Sequence, residues 1–145
     1  ELYETGWMHN RVRMIVASFL VKHLRIHWME GEKHFKNCLV DYNEASNVAQ
    51  WQWVAGCGAD AAPYFRIFNP ILQGEKFDKE GLYVKKWVPE INKIPEKFIH
   101  KPWEMELKYQ QTIKTIIGKN YPKPIVIHEK ARASALEAFQ TLKKK

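Results

Sequence analysis

The sequence has little of what would make it a disulfide scaffold, a β protein or a membrane span. Only two cysteines occur, Cys38 and Cys57, and their spacing fits neither a disulfide framework nor a zinc site. Each reads as a reduced, partly buried thiol, which suits a reducing, cytoplasmic compartment. No apolar run is long enough to cross a bilayer, and no signal peptide is visible. Strand-forming runs are nearly missing; residues 124–128 hold the one β-branched stretch. There is no internal repeat, no glycine-rich phosphate loop and no G-x-S-x-G elbow. Nothing beside either cysteine would lower a thiol pKa, so a cysteine nucleophile has no support. His23 and His27 stand four apart, but no third ligand accompanies them, and no metal is expected. An initiator Met is also missing. The chain opens at Glu1, which points to a fragment or a trimmed piece.

What remains is a basic, aromatic, helix-forming chain. Its 145 residues suffice for one domain with a real core. The formal charge of +7 is compatible with a polyanion such as nucleic acid. The three terminal lysines, Lys143 to Lys145, supply part of it; without them the balance is 7 − 3 = +4. Six Trp, six Tyr and seven Phe are more than an ordinary core needs to account for, and some are candidates for a site.

Hydrophobic spacing predicts an all-α fold with long proline-containing connections. Residues 6–24 read as one helix, with Val12, Ile15, Val16, Phe19 and Leu20 recurring at three and four. Trp7, Asn10, Arg13 and Met14 form a second stripe on it, unlike a solvated Lys/Glu face. Helices are also expected over 30–39, with Trp28 at the start and Glu30 and Glu32 in the first turn, and from Glu44 to about Gly56. Residues 57–78, with Pro63 and Pro70, read as ordered loop plus a short helical turn after Asn69. A short helix over 79–88 stops at Pro89. Residues 89–102 are expected as an irregular surface run, 103–117 as helix, and 129–142 as a closing helix facing inward through Ala131, Ala135, Leu136 and Phe139.

The stretch Asp41 to Trp53, DYNEASNVAQWQW, stands at the centre of this reading. On a helix, Asn47 and Trp51 share a face, whereas Trp51 and Trp53 point roughly 200° apart at about 100° per residue. A core stripe would not place aromatics this way. With Trp7, Asn10, Arg13, Met14, Trp28, Asp41 and Arg66, the segment makes a polar-aromatic constellation. Amides and an Arg–Asp pair can bond the edge of a planar heterocycle, and indoles can stack on bases. The chemistry points to a flat aromatic ligand, with nucleic acid beside it as one option, without choosing it.

Five segments then carry a resemblance: GWMHNRVRM, LVDYNEASNVAQWQW, ADAAPYFRIFNP, GEKFD and KKWVPE. In this order they resemble the C-terminal flavin-binding region of the DNA photolyase and cryptochrome family. WQW and FRIFNP are most similar to the bacterial class I branch that repairs cyclobutane pyrimidine dimers. The resemblance implies FAD inside an all-helical domain, and DNA containing pyrimidine dimers as partner. On this reading residues 1–145 are one partial domain, the C-terminal portion of the FAD-binding region. An antenna domain and the first part of the FAD domain would belong to a missing N-terminal part of the same protein.

The resemblance also implies roles. Asn47 matches the amide facing the flavin N5, Arg13 and Asp41 a salt-bridged pair beside the isoalloxazine, and Asn10 a residue touching both flavin and dimer. Trp7 would line the cavity. Trp51 and Trp28 match the proximal and middle members of the tryptophan chain that photoreduces the flavin. Trp53 and Met14 match contacts to the dimer, and Arg11 and Arg66 arginines near DNA phosphates. Asn43 stands at a flavin-side position where many bacterial members carry an acid. Val48, Ala49 and Gln50 replace the Asn and glycines common before WQW. Two rival readings remain: a cryptochrome-like photoreceptor without repair activity, and a plain basic helical nucleic-acid module with its aromatics in the core.

Overall fold

A glycine decides where the first long helix begins. In the computed structural model, which describes residues 1–62 and 65–143, α1 (Leu2–Thr5) ends at Gly6, whose φ of 65° lies in the left-handed region. Residues 7–9 belong to no helix, and α2 (Asn10–Ser18) starts only after His9, whose side chain accepts from the Arg11 N–H. The expected helix over 6–24 is therefore shorter at its start. Trp7 leaves the stripe assigned to it and sits in the connection, its N–H bonded to Thr5 Oγ1. The helix continues as a π-helical turn over Phe19–His23. The inward residues also differ from the predicted stripe: Ala17, Ser18, Lys22 and His23 are buried, while Val16 is exposed.

α3 (Trp28–Cys38) and α4 (Glu44–Ala55) come close to their predicted bounds. Asn43 caps α4 by accepting the Ser46 N–H, and Gly56 ends it at φ 79°. The two helices approach closely because Gly31 has no Cβ. An added one would collide with the six-membered ring of Trp51. Phe35 meets Trp51 edge-on at 5.1 Å. Around this pair lies the core: Leu2, Met8, Ala17, Leu39 and Val54. Truncating a buried indole such as Trp51 typically costs about 3–5 kcal/mol.

The chain divides into two compact units, Glu1–Phe68 with Val126–Lys145, and Asn69–Ile125. The first also holds α8 (His128–Lys143), near its predicted place. Ala135 is buried, and Phe139 stacks on Phe65 at 4.2 Å. Arg25, at φ 59°, donates to the Ser134 carbonyl and hydroxyl.

The second unit holds α5 (Pro70–Phe77), α6 (Leu82–Trp87) and α7 (Leu107–Thr112). Asn69 caps α5 at both the Ile71 and Leu72 N–H groups. Two expectations fail here. Residues 89–102 are not a surface run. Short 3-10 turns at Pro89–Ile91, Glu96–Phe98 and Pro102–Glu104 bury Ile91, Ile94, Ile99 and Met105 as the unit's core. The prolines initiate these turns, because a fixed φ suits a tight helical start. The helix over 103–117 shrinks to α7. Met105 is extended, Lys114 sits at φ 61°, and the buried Gln110 side chain bonds the Met105 carbonyl and the Ile117 N–H.

Among the described residues there is no strand, and Ile117 and Tyr121 form an isolated bridge. Pro63, expected within the 57–78 loop, and Lys144 and Lys145 of the basic tail lie outside the described residues. Among the described residues no helix is long and apolar enough to cross a membrane.

Candidate functional site

A cavity of about 300 Å³ opens between α2, α3, the turn after α3, and α4. Seven of the predicted site residues line it: Asn10, Arg13, Met14, Asp41, Asn43, Asn47 and Trp51. Its floor is apolar, from Ala17, Phe35, Leu39 and Val54.

Asn47 is buried, and its amide orientation is fixed chemically. Nδ2 lies 3.1 Å from the Glu32 carbonyl oxygen and 3.0 Å from Glu32 Oε1. Both partners can only accept, so the donor end must point at them. Oδ1 is then the free end, with no partner among the described residues.

Arg13 is held at two ends. Its Nη2 donates to both carboxylate oxygens of Asp41, at 3.0 and 2.8 Å, and its Nε to the Met8 carbonyl at 2.6 Å. This bidentate pair is half in solvent, with side-chain exposures of 24% and 46%, so it orients more than it stabilises. Asn10 Nδ2 faces the Met14 sulfur at 4.0 Å. Asn43 lines the cavity, but its Oδ1 is spent on capping α4.

Five predicted residues stand outside the cavity lining. Trp7 is exposed, its ring edge-on to His9. Trp28 and Trp53 are partly buried against the core that holds Trp51. Arg11 is partly exposed. Arg66 is exposed, with its guanidinium 4.6 Å over the Phe68 ring. The opposed directions of Trp51 and Trp53 hold: only Trp51 faces the cavity.

Sequence reasoning missed Glu32. It reads there as a helix-dipole partner in the first turn of α3, yet it clamps Asn47 and accepts from the Tyr42 hydroxyl at 3.4 Å. Burial, more than the carboxylates of Glu44 and Glu32, raises the Tyr42 phenol pKa. On the π-helical turn, burial pushes the Lys22 ammonium down to about 8. His23 is lowered too, by burial and then by His128, whose Nδ1 lies 2.8 Å from His23 Nε2. His23 Nδ1 is buried without a hydrogen bond. His27, four residues on, instead caps α3. Among the described residues no group of three metal-ligating side chains gathers.

The donor set suits a planar heterocycle with a polar edge. Amides and a charge pair face an apolar floor, and Asn47 offers a fixed acceptor. The whole of residues 1–141 matches the family described as the FAD binding domain of DNA photolyase. The chain belongs to that family. Photolyase relatives include the deoxyribodipyrimidine photo-lyases of Agrobacterium fabrum, 59% identical over 99% of this chain and 30% of the relative, and of Escherichia coli, 51% identical over 99% and 29%. This chain thus spans about 30% of the length of the curated photolyases it matches. Two solved structures share its fold. A bacterial class III photolyase from Agrobacterium tumefaciens superposes with a TM-score of 0.93 at 59% identity, over 99% of this chain and 30% of that one. A cryptochrome from Synechocystis does so at 0.85 and 38%, over 92% and 27%. The all-α expectation and the family resemblance both hold.

Proposed function

We propose that this chain is the part of a deoxyribodipyrimidine photo-lyase that forms one wall of the FAD site and part of the DNA-facing surface. One observation carries the reading. Asn47, the Arg13–Asp41 pair and Trp51 line one cavity. When bound there, FAD supplies the light-driven electron chemistry that splits the dimer.

The chain's own residues orient and insulate. Asn47 would present its acceptor oxygen to the flavin N5. Arg13 and Asp41 fix the ring edge, with Asn10 and Asn43 beside them. Trp51 and Trp28 would be the side chains that relay an electron toward a bound flavin. On the substrate side, Asn10, Met14 and Trp53 meet the dimer, and Arg11 and Arg66 meet phosphates. Photolyases are among the enzymes that flip their target out of the duplex, which leaves room for Trp53 to pack against the extruded bases.

Residues 1–145 act as one partial domain, completed by an N-terminal part of the same protein. A reducing, cytoplasmic setting suits the free thiols Cys38 and Cys57. This chain forms one wall of the site, and a half-cavity lacks the enclosure that gives cofactor sites their affinity, so the isolated chain is expected to hold FAD weakly. Flavin absorbance surviving gel filtration of the isolated chain would contradict this.

The deciding assay is light-dependent repair of a dimer-containing oligonucleotide by the full-length protein with reduced flavin. Repair is expected, and its loss in Trp53→Ala with the flavin spectrum intact. The likeness to the Synechocystis cryptochrome supports a second reading, light signalling. Absence of repair under reducing conditions would favour it.

A further inference from the structure

The π-helical turn buries a lysine that nothing in the flavin site uses. Lys22 is 3% exposed and Ser18 fully buried. Lysine is almost never this buried unless it is paired. Lys22 faces no carboxylate among the described residues. Its Nζ donates instead to the backbone carbonyl of Arg66 and lies 4.7 Å from the Phe65 ring centre. One helical turn earlier, Ser18 Oγ accepts the Phe68 N–H at 3.2 Å. Two polar side chains four residues apart thus hold the backbone of one segment at both ends. Burial lowers the Lys22 pKa to about 8, so the position is costly for a charged group. A leucine or methionine would fill the volume without that cost but could not bind the carbonyl. Arg66 itself is exposed, makes no ion pair among the described residues and stands 4.6 Å over the Phe68 ring, so its charge is available to a ligand.

We propose that Lys22 and Ser18 are positioning residues for DNA binding, fixing the 66–68 backbone so that the Arg66 guanidinium meets a phosphate. This rests on the reading above, in which Arg66 is a phosphate contact. Phosphate affinity depends on where a guanidinium stands, and an exposed arginine on an untethered loop would lose entropy on binding. The clip removes that loss before DNA arrives.

The test uses the FAD-loaded full-length protein and a dimer-containing duplex, with binding measured across salt concentration. The variants are Arg66→Ala, Lys22→Met, Ser18→Ala and the Arg66→Ala/Lys22→Met double. Arg66→Ala is expected to weaken binding about three- to tenfold and to reduce the salt slope by about one. Lys22→Met should reproduce both losses with an unchanged flavin spectrum, and the double should be no worse than Arg66→Ala. Wild-type binding by Lys22→Met, or fully additive losses in the double, overturns the inference while leaving Arg66 a phosphate contact. A silent Arg66→Ala overturns the phosphate contact and the inference together. Should Lys22→Met fail to hold flavin, Ser18→Ala carries the comparison: a loss absent on the Arg66→Ala background supports the clip, and wild-type binding refutes it.

Discussion

Glu32 holds Asn47 from behind. Its backbone carbonyl and its carboxylate both take the Asn47 amide, at 3.1 and 3.0 Å, so that Oδ1 is left as the acceptor end. A free amide would flip between donor and acceptor; this one cannot without losing two bonds. The relationship converts an ambiguous side chain into a fixed dipole, and the first prediction follows from it.

Glu32→Gln offers Asn47 an amide that can donate as well as accept. The orientation of Asn47 is then enforced by the Glu32 backbone carbonyl alone. Losing a charge-assisted bond of this kind costs about 1–2 kcal/mol. Appearing at the reduced flavin, that is about 20–40 mV on a two-electron couple. Spectroelectrochemical titration should show a lower midpoint potential in Glu32→Gln, with Asn47→Ala shifted at least as far. An unchanged potential in both would remove Asn47 from the flavin's environment.

Arg13 should matter more than Asp41. Asp41→Asn removes a half-exposed ion pair, worth about 0.5–1 kcal/mol at most. Arg13→Ala removes the same pair and also leaves the Met8 carbonyl, bonded at 2.6 Å, without its donor. A cost of about 1–3 kcal/mol is expected for that orphaned group. Urea midpoints of the two variants should differ in that order, and equal midpoints would mean the Met8 bond contributes nothing.

Gly31→Ala tests the close approach of α3 and α4. The new methyl would collide with the Trp51 ring. Overpacking of this kind costs about 1–3 kcal/mol. The melting temperature should fall, and flavin photoreduction should slow if Trp51 is the proximal donor. Wild-type melting and photoreduction together would show that the indole has room to move.

Lys22 gives a stability contribution with a definite sign. Its pKa is about 8 in the fold and 10.5 in the unfolded chain. Between those values the unfolded chain holds a proton that the folded chain does not, so this group makes stability rise with pH. The gain is up to about 3 kcal/mol across the window. Lys22→Met lacks it. Stability at pH 10 minus that at pH 8 should therefore be more favourable in the wild type than in Lys22→Met; identical differences would place the Lys22 pKa near its ordinary value.

His23 acts at the other end of the scale. Burial and His128 hold its pKa below 6.5, so the unfolded chain takes up a proton first as the pH falls. Stability from this site is full above about pH 6.5 and is lost below it. His23→Gln should flatten the stability curve between pH 7 and 5. An acid limb as steep as the wild type's would assign the loss to other groups.

The sequence by itself determined the helical class, the bounds of α3 and α4, and the opposed aims of Trp51 and Trp53. These depend on local rules: period, capping by Asn43, termination at Gly56 and 100° per residue. It also brought six of the seven cavity residues to notice, because amides and indoles at those spacings make a poor core stripe; Asn43 came from the family resemblance. Tertiary structure decided the rest. Only packing could turn the prolines at 89, 95 and 102 from loop breakers into initiators of buried turns, since the burial of Ile94 and Ile99 depends on distant partners. Only packing could make Glu32 a clamp, because its role lies across the α3–α4 contact fifteen residues away. Lys22 is the clearest case. By composition it belongs to the basic surface, yet the π-helical turn swings it inward to a carbonyl 44 residues along the chain. A pattern of neighbours in sequence carries no term for such a partner, and only the folded backbone supplies one.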